Sequence, residues 1–382
     1  MNTFQSRKVP HILHVLGVDT RRDFERERVG HDMRLDSTTT GSLRGTAQHG
    51  AEVLASLTRT TRLHNLNIVL SNNLTTTRYP AIVARELGLF RKAGLKVEYI
   101  DSAPSTDFVE MLLNGAADVV MLDAPQTLQA TSKGQPIASI YETMQRAPDV
   151  LAVVVDGPIR SLADLKGQTI GLASKRDQVT AQLVLSTAGI DIHDVSTVVV
   201  GDRGSDVAKA IEQKRIVAYA ASINDTTVLT AFGITMRDLT PPWLKFNPAN
   251  TFTVLKSRVD ELRPGLEKFL RVWSMATRSA KLDAERVSNW CRAAVPGEWT
   301  NHDAGQALMD AAIGLNYPVT EAFGDLQRDV WAGLQPLYRK LGLIDAEIDP
   351  ASFLDNSLIA AANDFTDAEI RAAFARKPFG RS

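Results

Sequence analysis

From residue 66 onward the apolar positions alternate between short runs and helical stripes. LNIVL reads as a strand buried on both faces. YPAIVARELGLFRKAGL reads as an amphipathic helix that starts at Pro80 and stops at Gly94. KVEYID alternates as a second strand, and STDFVEMLLNGA predicts a helix with Ser105 or Thr106 as N-cap and Gly115 as its end. The strand ADVVMLD, the helix APQTLQATSKGQ and the strand IASIYETMQ complete the series. Strands and helices joined by short connections predict a parallel sheet covered by helices.

A second series follows DGPIRSLADLKGQ: the strand TIGLAS, the helix RDQVTAQLVLSTAGI, the strand STVVVGD, the helix SDVAKAIEQKR and the strand IVAYAAS. The repeated grammar predicts two α/β lobes in place of one continuous sheet. Beyond PPWLKFNPAN the pattern turns mostly helical. In open α/β sheets ligands gather beyond the carboxyl ends of the strands, where helix N-termini aim free N–H groups outward. Four segments qualify: Ser71 to Tyr79, Asp123 to Gln126, Ser174 to Asp177, and Gly201 to Ser205. The first is the most polar, a run from Ser71 to Thr77 broken only by Leu74.

With 382 residues the chain is long enough for a large core and two domains. Its 43 Lys and Arg balance 44 Asp and Glu, so net charge points to neither nucleic acid nor a membrane surface as partner. One cysteine, Cys291, excludes an internal disulfide framework and a cysteine zinc site; its helical context SNWCRAA reads as a buried, inert thiol. Before residue 65 the pattern is lost. Arg21 and Arg22 resemble a twin-arginine export signal, but the polar segment after them cannot serve as its apolar stretch. Five of the seven histidines (His11, His14, His31, His49, His64) fall in this part without a repeated ligand spacing. Residues 1–64 are therefore expected to be a poorly structured leader or a mis-called start.

The phrases RYPAIVARELGLFRKAGLKVEYI, LLNGAADVVMLDAPQTLQATSKGQPI and IRSLADLKGQTIGLAS, with KSRVDELRPGLEKFL and IDPASFLDNSL further on, resemble the solute-binding components of ABC importers. The similar branch handles nitrate, aliphatic sulfonates, taurine and thiamine-type pyrimidines, and the resemblance spans about residues 66–360. It implies an α/β type II periplasmic-binding-protein fold, with a ligand cleft between two lobes joined by a two-strand hinge. Lobe 1 would comprise 65–155 plus 252–382, and lobe 2 156–251. It further implies a monomer that carries a small molecule to the transmembrane subunits of an ABC permease, works in the periplasm and needs no cofactor. Were residues 1–64 the true N-terminus, the location would instead be cytoplasmic, as for a ligand sensor.

The same scaffold hosts enzymes. A biphenyl sulfinate desulfinase resembles this chain in the first loop but keeps a nucleophilic cysteine where Asn73 stands. The eukaryotic thiamine-pyrimidine synthase has a lysine and a histidine at the places of Leu122 and Gln126, and a cysteine cluster that PANTFTVL lacks. Both departures remove the reactive atom, so a binder and not an enzyme is expected. The alternatives are an enzyme acting on an aromatic or pyrimidine compound, or a binder of a thiamine-type pyrimidine.

In the first loop Asn73, Thr75, Thr76, Arg78 and Tyr79 are expected at the ligand, Arg78 offering a planar fork to an anion; the competing reading has Thr76 or Thr77 capping the helix and Tyr79 packed. Asp123 is either a partner for an amine or ring N–H or an N-cap, which leaves Gln126 as the better contact. Ser174, Lys175 and Arg176 form a helix-start anion cradle where relatives keep small residues. Asn224 and Asp225 take the place of a polar gatekeeper, Trp243 and Phe246 of a ring cover, and Gln145 and Arg146 lie at the hinge. The basic residues favour a small organic anion, sulfonate- or carboxylate-like.

Overall fold

The computed structural model describes residues 64–72, 74–101 and 106–375. The leader expectation for residues 1–64 lies outside the described residues except at His64, which opens the first strand, and Asn73 and the candidate cap Ser105 lie outside them too.

In the first lobe β1 (His64–Val69) leads through α1 (Thr75–Glu86) and α2 (Leu89–Lys92) to β2 (Leu95–Tyr99). Then come α3 (Phe108–Leu113), β3 (Val119–Asp123), α4 (Ala124–Ser132) and β4 (Ile137–Met144). Asp107, not Thr106, caps α3, accepting the amide N–H groups of Val109 and Glu110. The chain then enters a second lobe with β5 (Asp149–Val154), β6 (Thr169–Leu172), α5 (Asp177–Ser186), β7 (Ser196–Val199), α6 (Gly204–Glu212), β8 (Ala218–Ser222), α7 (Ile223–Val228) and β9 (Met236–Asp238). It returns as β10 (Asn250–Leu255), followed by α8 (Val259–Leu282), α9 (Ala284–Ala294), α10 (His302–Asn316) and α11 (Arg328–Lys340).

One sheet has the order β2-β1-β3-β10-β4 and the other β7-β6-β8-β5-β9. Strands β1, β2 and β3 run parallel, as do β6, β7 and β8, while β10 and β5 run antiparallel to their neighbours. The fold is two mixed α/β lobes with a cleft between them. The strand pairing also moves the expected lobe boundaries. DVLAVV, read as the end of lobe 1, pairs with β8 and β9 in the second sheet, and the first sheet regains the chain at Asn250. A continuous apolar run marks a buried strand without saying which sheet will bury it.

Helix α1 begins five residues before the expected Pro80. Inside a helix proline lacks the N–H that would bond the carbonyl four residues earlier, here that of Thr76. Asn316 repairs the loss: its Nδ2 donates to the Thr76 carbonyl at 2.6 Å and to the Ala312 carbonyl at 2.9 Å. A side chain 240 residues away thus lets the helix run through Pro80 and carries its N-terminus to the cleft. Behind it the first lobe's core is aromatic, with Phe252 edge-on to Trp273 at 4.8 Å and to Phe269 at 5.1 Å.

Candidate functional site

A cleft of about 270 Å³ opens where the carboxyl ends of β1, β3, β6 and β8 face one another, near the lower end for small-molecule sites. Its charged lining is one-sided: Asp123, Asp149, Asp177, Asp202 and Asp225 against a single cation, Arg176. Loss of hydration pushes the carboxyls of Asp149 and Asp225 up to about 7. Around Asp149, the neighbouring charges of Asp177, Asp123 and Asp225 add to the rise. Asp123 and Asp177 are raised for the same first cause, desolvation. Asp149 and Asp225 therefore exchange protons near neutral pH and donate as well as accept hydrogen bonds.

Helix N-termini at such a cleft ordinarily attract anions. Here the chain supplies its own carboxylates. Asp123 Oδ1 accepts the Gln126 amide N–H at 2.7 Å and Gln126 Oε1 accepts that of Asp123 at 3.1 Å, a closed capping box on α4. Asp177 Oδ2 takes the amide N–H and the hydroxyl of Ser174, both at 2.7 Å, at the start of α5. Asp225 Oδ2 takes the Ser222 N–H at 3.0 Å while Ser222 Oγ takes that of Asn224 at 3.1 Å, closing α7. On α1 the N–H of Thr75 is met at 3.0 Å by Glu298, which arrives from 223 residues downstream. Four positive helix ends are neutralised before any ligand arrives.

Across the cleft Asn224 Nδ2 donates to Thr76 Oγ1 at 2.7 Å, a buried hydrogen bond joining the two lobes. Asn224 Oδ1 is buried without a partner among the described residues.

Of the expected site residues, Thr76, Asp123, Ser174, Arg176, Asn224 and Asp225 line the cleft. The others do not. Thr75 is buried beside Glu298, its amide bonded and its hydroxyl without a partner among the described residues. Arg78 is outside the lining; burial raises the Tyr99 hydroxyl's pKa, and the charge of Arg78 opposes that rise. Tyr79 is wholly buried, its hydroxyl directed at the Thr277 carbonyl, because the helix starting at Thr75 rotates it into the core. Gln126 is held by the capping box, so the choice between cap and ligand contact falls to the cap. Gln145 is buried and bonds the 319–325 segment through Val319, Thr320 and Asp325. Lys175 is exposed and outside the lining, which removes half of the expected cation pair. Trp243, 53 % exposed, is outside the lining, and Phe246 lies under the Arg146 guanidinium at 5.9 Å. The expected anion cradle becomes an acidic cleft. Cys291 is buried, its thiol pushed up to about 12 by desolvation.

Sequence reasoning passed over Asp149 and Tyr338, both in the lining. Asp149 carried a signal, a carboxylate placed directly before the buried run VLAVV. Tyr338 carried none, since α11 lies far along the chain. Asp177 and Asp202 fell within loops marked as strand ends without being singled out.

Among the described residues no helix is long and apolar enough to cross a membrane. Nor does any group of His, Cys, Asp and Glu among them have the arrangement to hold a metal ion.

Residues 75–285 match the NMT1/THI5-like family, more than half of the chain. A 4-amino-5-hydroxymethyl-2-methylpyrimidine phosphate synthase of Legionella pneumophila is 27% identical over 127 residues, 33% of this chain and 40% of that protein. One of the same name from Uromyces fabae is 26% identical over 198 residues, 52% of this chain and 54% of that protein. The chain thus spans about half or less of the length of the curated relatives it matches. Among solved structures, the alkanesulfonate-binding protein SsuA of Xanthomonas axonopodis pv. citri, bound to MOPS, superposes with a TM-score of 0.60 at 15% identity, covering 77% of this chain and 98% of that one. The desulfurization enzyme DSZB gives 0.54 at 16% identity, with 78% and 98% covered. These structures share the fold. The relatives correct one expectation: the absence of catalysis, argued from Asn73, Leu122 and Gln126, is overturned by homologues that carry an enzyme's name. Losing the reactive atoms of two known routes does not strip a scaffold of chemistry when its cleft holds carboxyls that exchange protons near pH 7.

Proposed function

The chain belongs to the NMT1/THI5-like family, and from that premise we propose that its interlobe cleft clamps a compact, nitrogen-rich heterocycle of the aminopyrimidine class. The observation that carries this reading is the self-neutralised cleft. Asp123, Asp177, Asp225 and Glu298 occupy the positive helix ends, and Arg176 alone faces five aspartates. A sulfonate or phosphate entering here loses its hydration and meets like charge. An amino group and a ring nitrogen meet carboxyls able to accept from the one and donate to the other. The small-anion reading gives way to this one.

The synthase names of the relatives support chemistry on the bound heterocycle, with the carboxyl cluster as its store of protons. A second reading, delivery of the ligand to an ABC permease outside the cytoplasm, is supported by the fold shared with SsuA. Binding is common to both. The Thr76–Asn224 bond is the contact through which a ligand's grip on one lobe favours closure onto the other.

The test is a thermal-shift and calorimetric comparison of 4-amino-5-hydroxymethyl-2-methylpyrimidine, its phosphate ester, an alkanesulfonate and taurine. The free pyrimidine is expected to raise Tm and bind most tightly. Tighter binding of the sulfonate would overturn the proposal. Chromatography of the recovered ligand separates the two uses: conversion supports turnover, and recovery unchanged supports carriage.

A further inference from the structure

The buried face of α11 has helical spacing, with Trp331, Leu334, Gln335 and Tyr338 at i, i+3, i+4 and i+7. Three of these side chains carry polar atoms that need partners once water is withdrawn. Trp331 Nε1 donates to Glu142 at 3.1 Å. Gln335 spends both ends of its amide on Ile348, donating to the carbonyl at 2.8 Å and accepting the N–H at 2.6 Å. Tyr338 is the exception. It is 4% exposed and lines the main cleft, and its hydroxyl makes no hydrogen bond among the described residues. The Tyr99 hydroxyl is wholly enclosed, but that of Tyr338 keeps accessible surface, and the open space beside it is the cleft.

The ring is held in place from both lobes. Tyr338 packs in one cluster with Ala124, Trp331 and Phe353, and Leu183 of α5 reaches that cluster from the second lobe. Next to Leu183, Gln182 Nε2 donates to the Leu341 carbonyl at 3.1 Å, just past the end of α11. Asp123 and Asp149 are near enough for their charge to act on the hydroxyl. Burial first, and then these two carboxylates, push the phenol well above its ordinary range, so it keeps its proton and serves as a donor. The Asp149 carboxyl also has no hydrogen bond or ion pair among the described residues. A donor and an acceptor that share the cleft without bonding each other suit a ligand that offers both.

We propose that Tyr338 is a specificity-determining residue of the cleft, its hydroxyl donating to a ring nitrogen of the bound heterocycle. The inference rests on the aminopyrimidine reading and sharpens it. A pyrimidine has two ring nitrogens, and carboxyls that meet the amino group and one of them leave the other without a donor. A ring with carbon at that place leaves the hydroxyl unpaired in a water-poor site and is disfavoured.

The test is Tyr338→Phe in the full chain, titrated at pH 7 with 4-amino-5-hydroxymethyl-2-methylpyrimidine carrying 15N in its ring. Affinity by calorimetry should fall about tenfold, the worth of one hydrogen bond. The Tm of the ligand-free protein should not fall, because the hydroxyl bonds nothing there. The bound ligand's 15N spectra on the two proteins should differ at one ring nitrogen, shifted upfield on the native chain alone. Unchanged affinity or identical 15N shifts overturn the proposal. So does a lower ligand-free Tm, which would mark the hydroxyl as structural. A native chain that binds no pyrimidine overturns the aminopyrimidine reading along with this one, whereas pyrimidine binding that ignores Tyr338→Phe overturns this one alone.

Discussion

Glu142 sits in the middle of β4, all of whose residues are buried, and is itself 2% exposed. One carboxyl oxygen accepts the Trp331 indole N–H at 3.1 Å, and the other has no partner among the described residues. Desolvation pushes this carboxyl from its ordinary 4.5 to about 8, with Trp331 opposing the rise and Asp325 adding to it. The folded chain therefore holds a proton that the unfolded chain releases. Stability from this group is fully present below pH 4.5, falls through the window from 4.5 to 8, and is gone above 8. At about 1.4 kcal/mol per pH unit, the loss across that window is on the order of 5 kcal/mol. Glu142→Gln supplies a neutral side chain of the same shape. It is expected to match the native protein near pH 4.5 and to exceed it by several kcal/mol at pH 8. Urea unfolding followed by tryptophan fluorescence at pH 5, 6, 7, 8 and 9 measures both proteins, and their difference cancels every other titration. The difference should open steadily with pH. A constant difference from pH 5 to 9 would show that Glu142 is already charged in the fold and would refute the reasoning.

Gly324 has φ +83°, its carbonyl accepts the Glu142 amide N–H at 2.8 Å, and an added Cβ would land on the Tyr141 ring. Gly324→Ala is expected to cost more than about 3 kcal/mol, read by the same urea titration, and an effect below 1 kcal/mol argues against this packing. Asp149→Asn should lower aminopyrimidine affinity about tenfold at pH 8. Native affinity should peak near pH 7, where Asp149 and Asp225 share protons and can accept from the amino group while donating to the ring nitrogen, and fall on either side; calorimetry that finds no pH dependence contradicts the assignment. Asn224→Ala removes the side-chain bridge to Thr76 Oγ1 that joins the two lobes and should enlarge the ligand-free radius of gyration in small-angle scattering, which an unchanged profile would disprove. Asn316→Leu deprives the Thr76 carbonyl of its donor. It should lower Tm and loosen hydrogen exchange in the first turns of α1, and protection equal to the native level would rule that role out.

Much of the fold is legible along the chain because strands buried on both faces and helices with one apolar stripe leave different periods in the sequence. LNIVL, ADVVMLD, TIGLAS and IVAYAAS announce themselves in this way, and so does the rule that ligands collect where such strands end. The site was harder to read. Arg78 and Tyr79 looked like ligands as long as the helix was taken to begin at Pro80. Asn316 moves that start to Thr75 by supplying the hydrogen bond that proline cannot, and the rotation sends Tyr79 into the core. Polarity along a loop does not encode which side chains the helix then turns inward.

By itself, then, the sequence determined two α/β lobes, their order and the loops that border the cleft, since these follow from local period and turn chemistry. Only the tertiary structure decided which charged groups the cleft gathers. Glu298 reaches the first turn of α1 from 223 residues away, and Asp149 enters because β5 joins the second sheet. Tyr338 arrives with α11. Charge in a cleft is the sum of groups brought together by packing, and a sum over distant residues has no signature in any one stretch of chain.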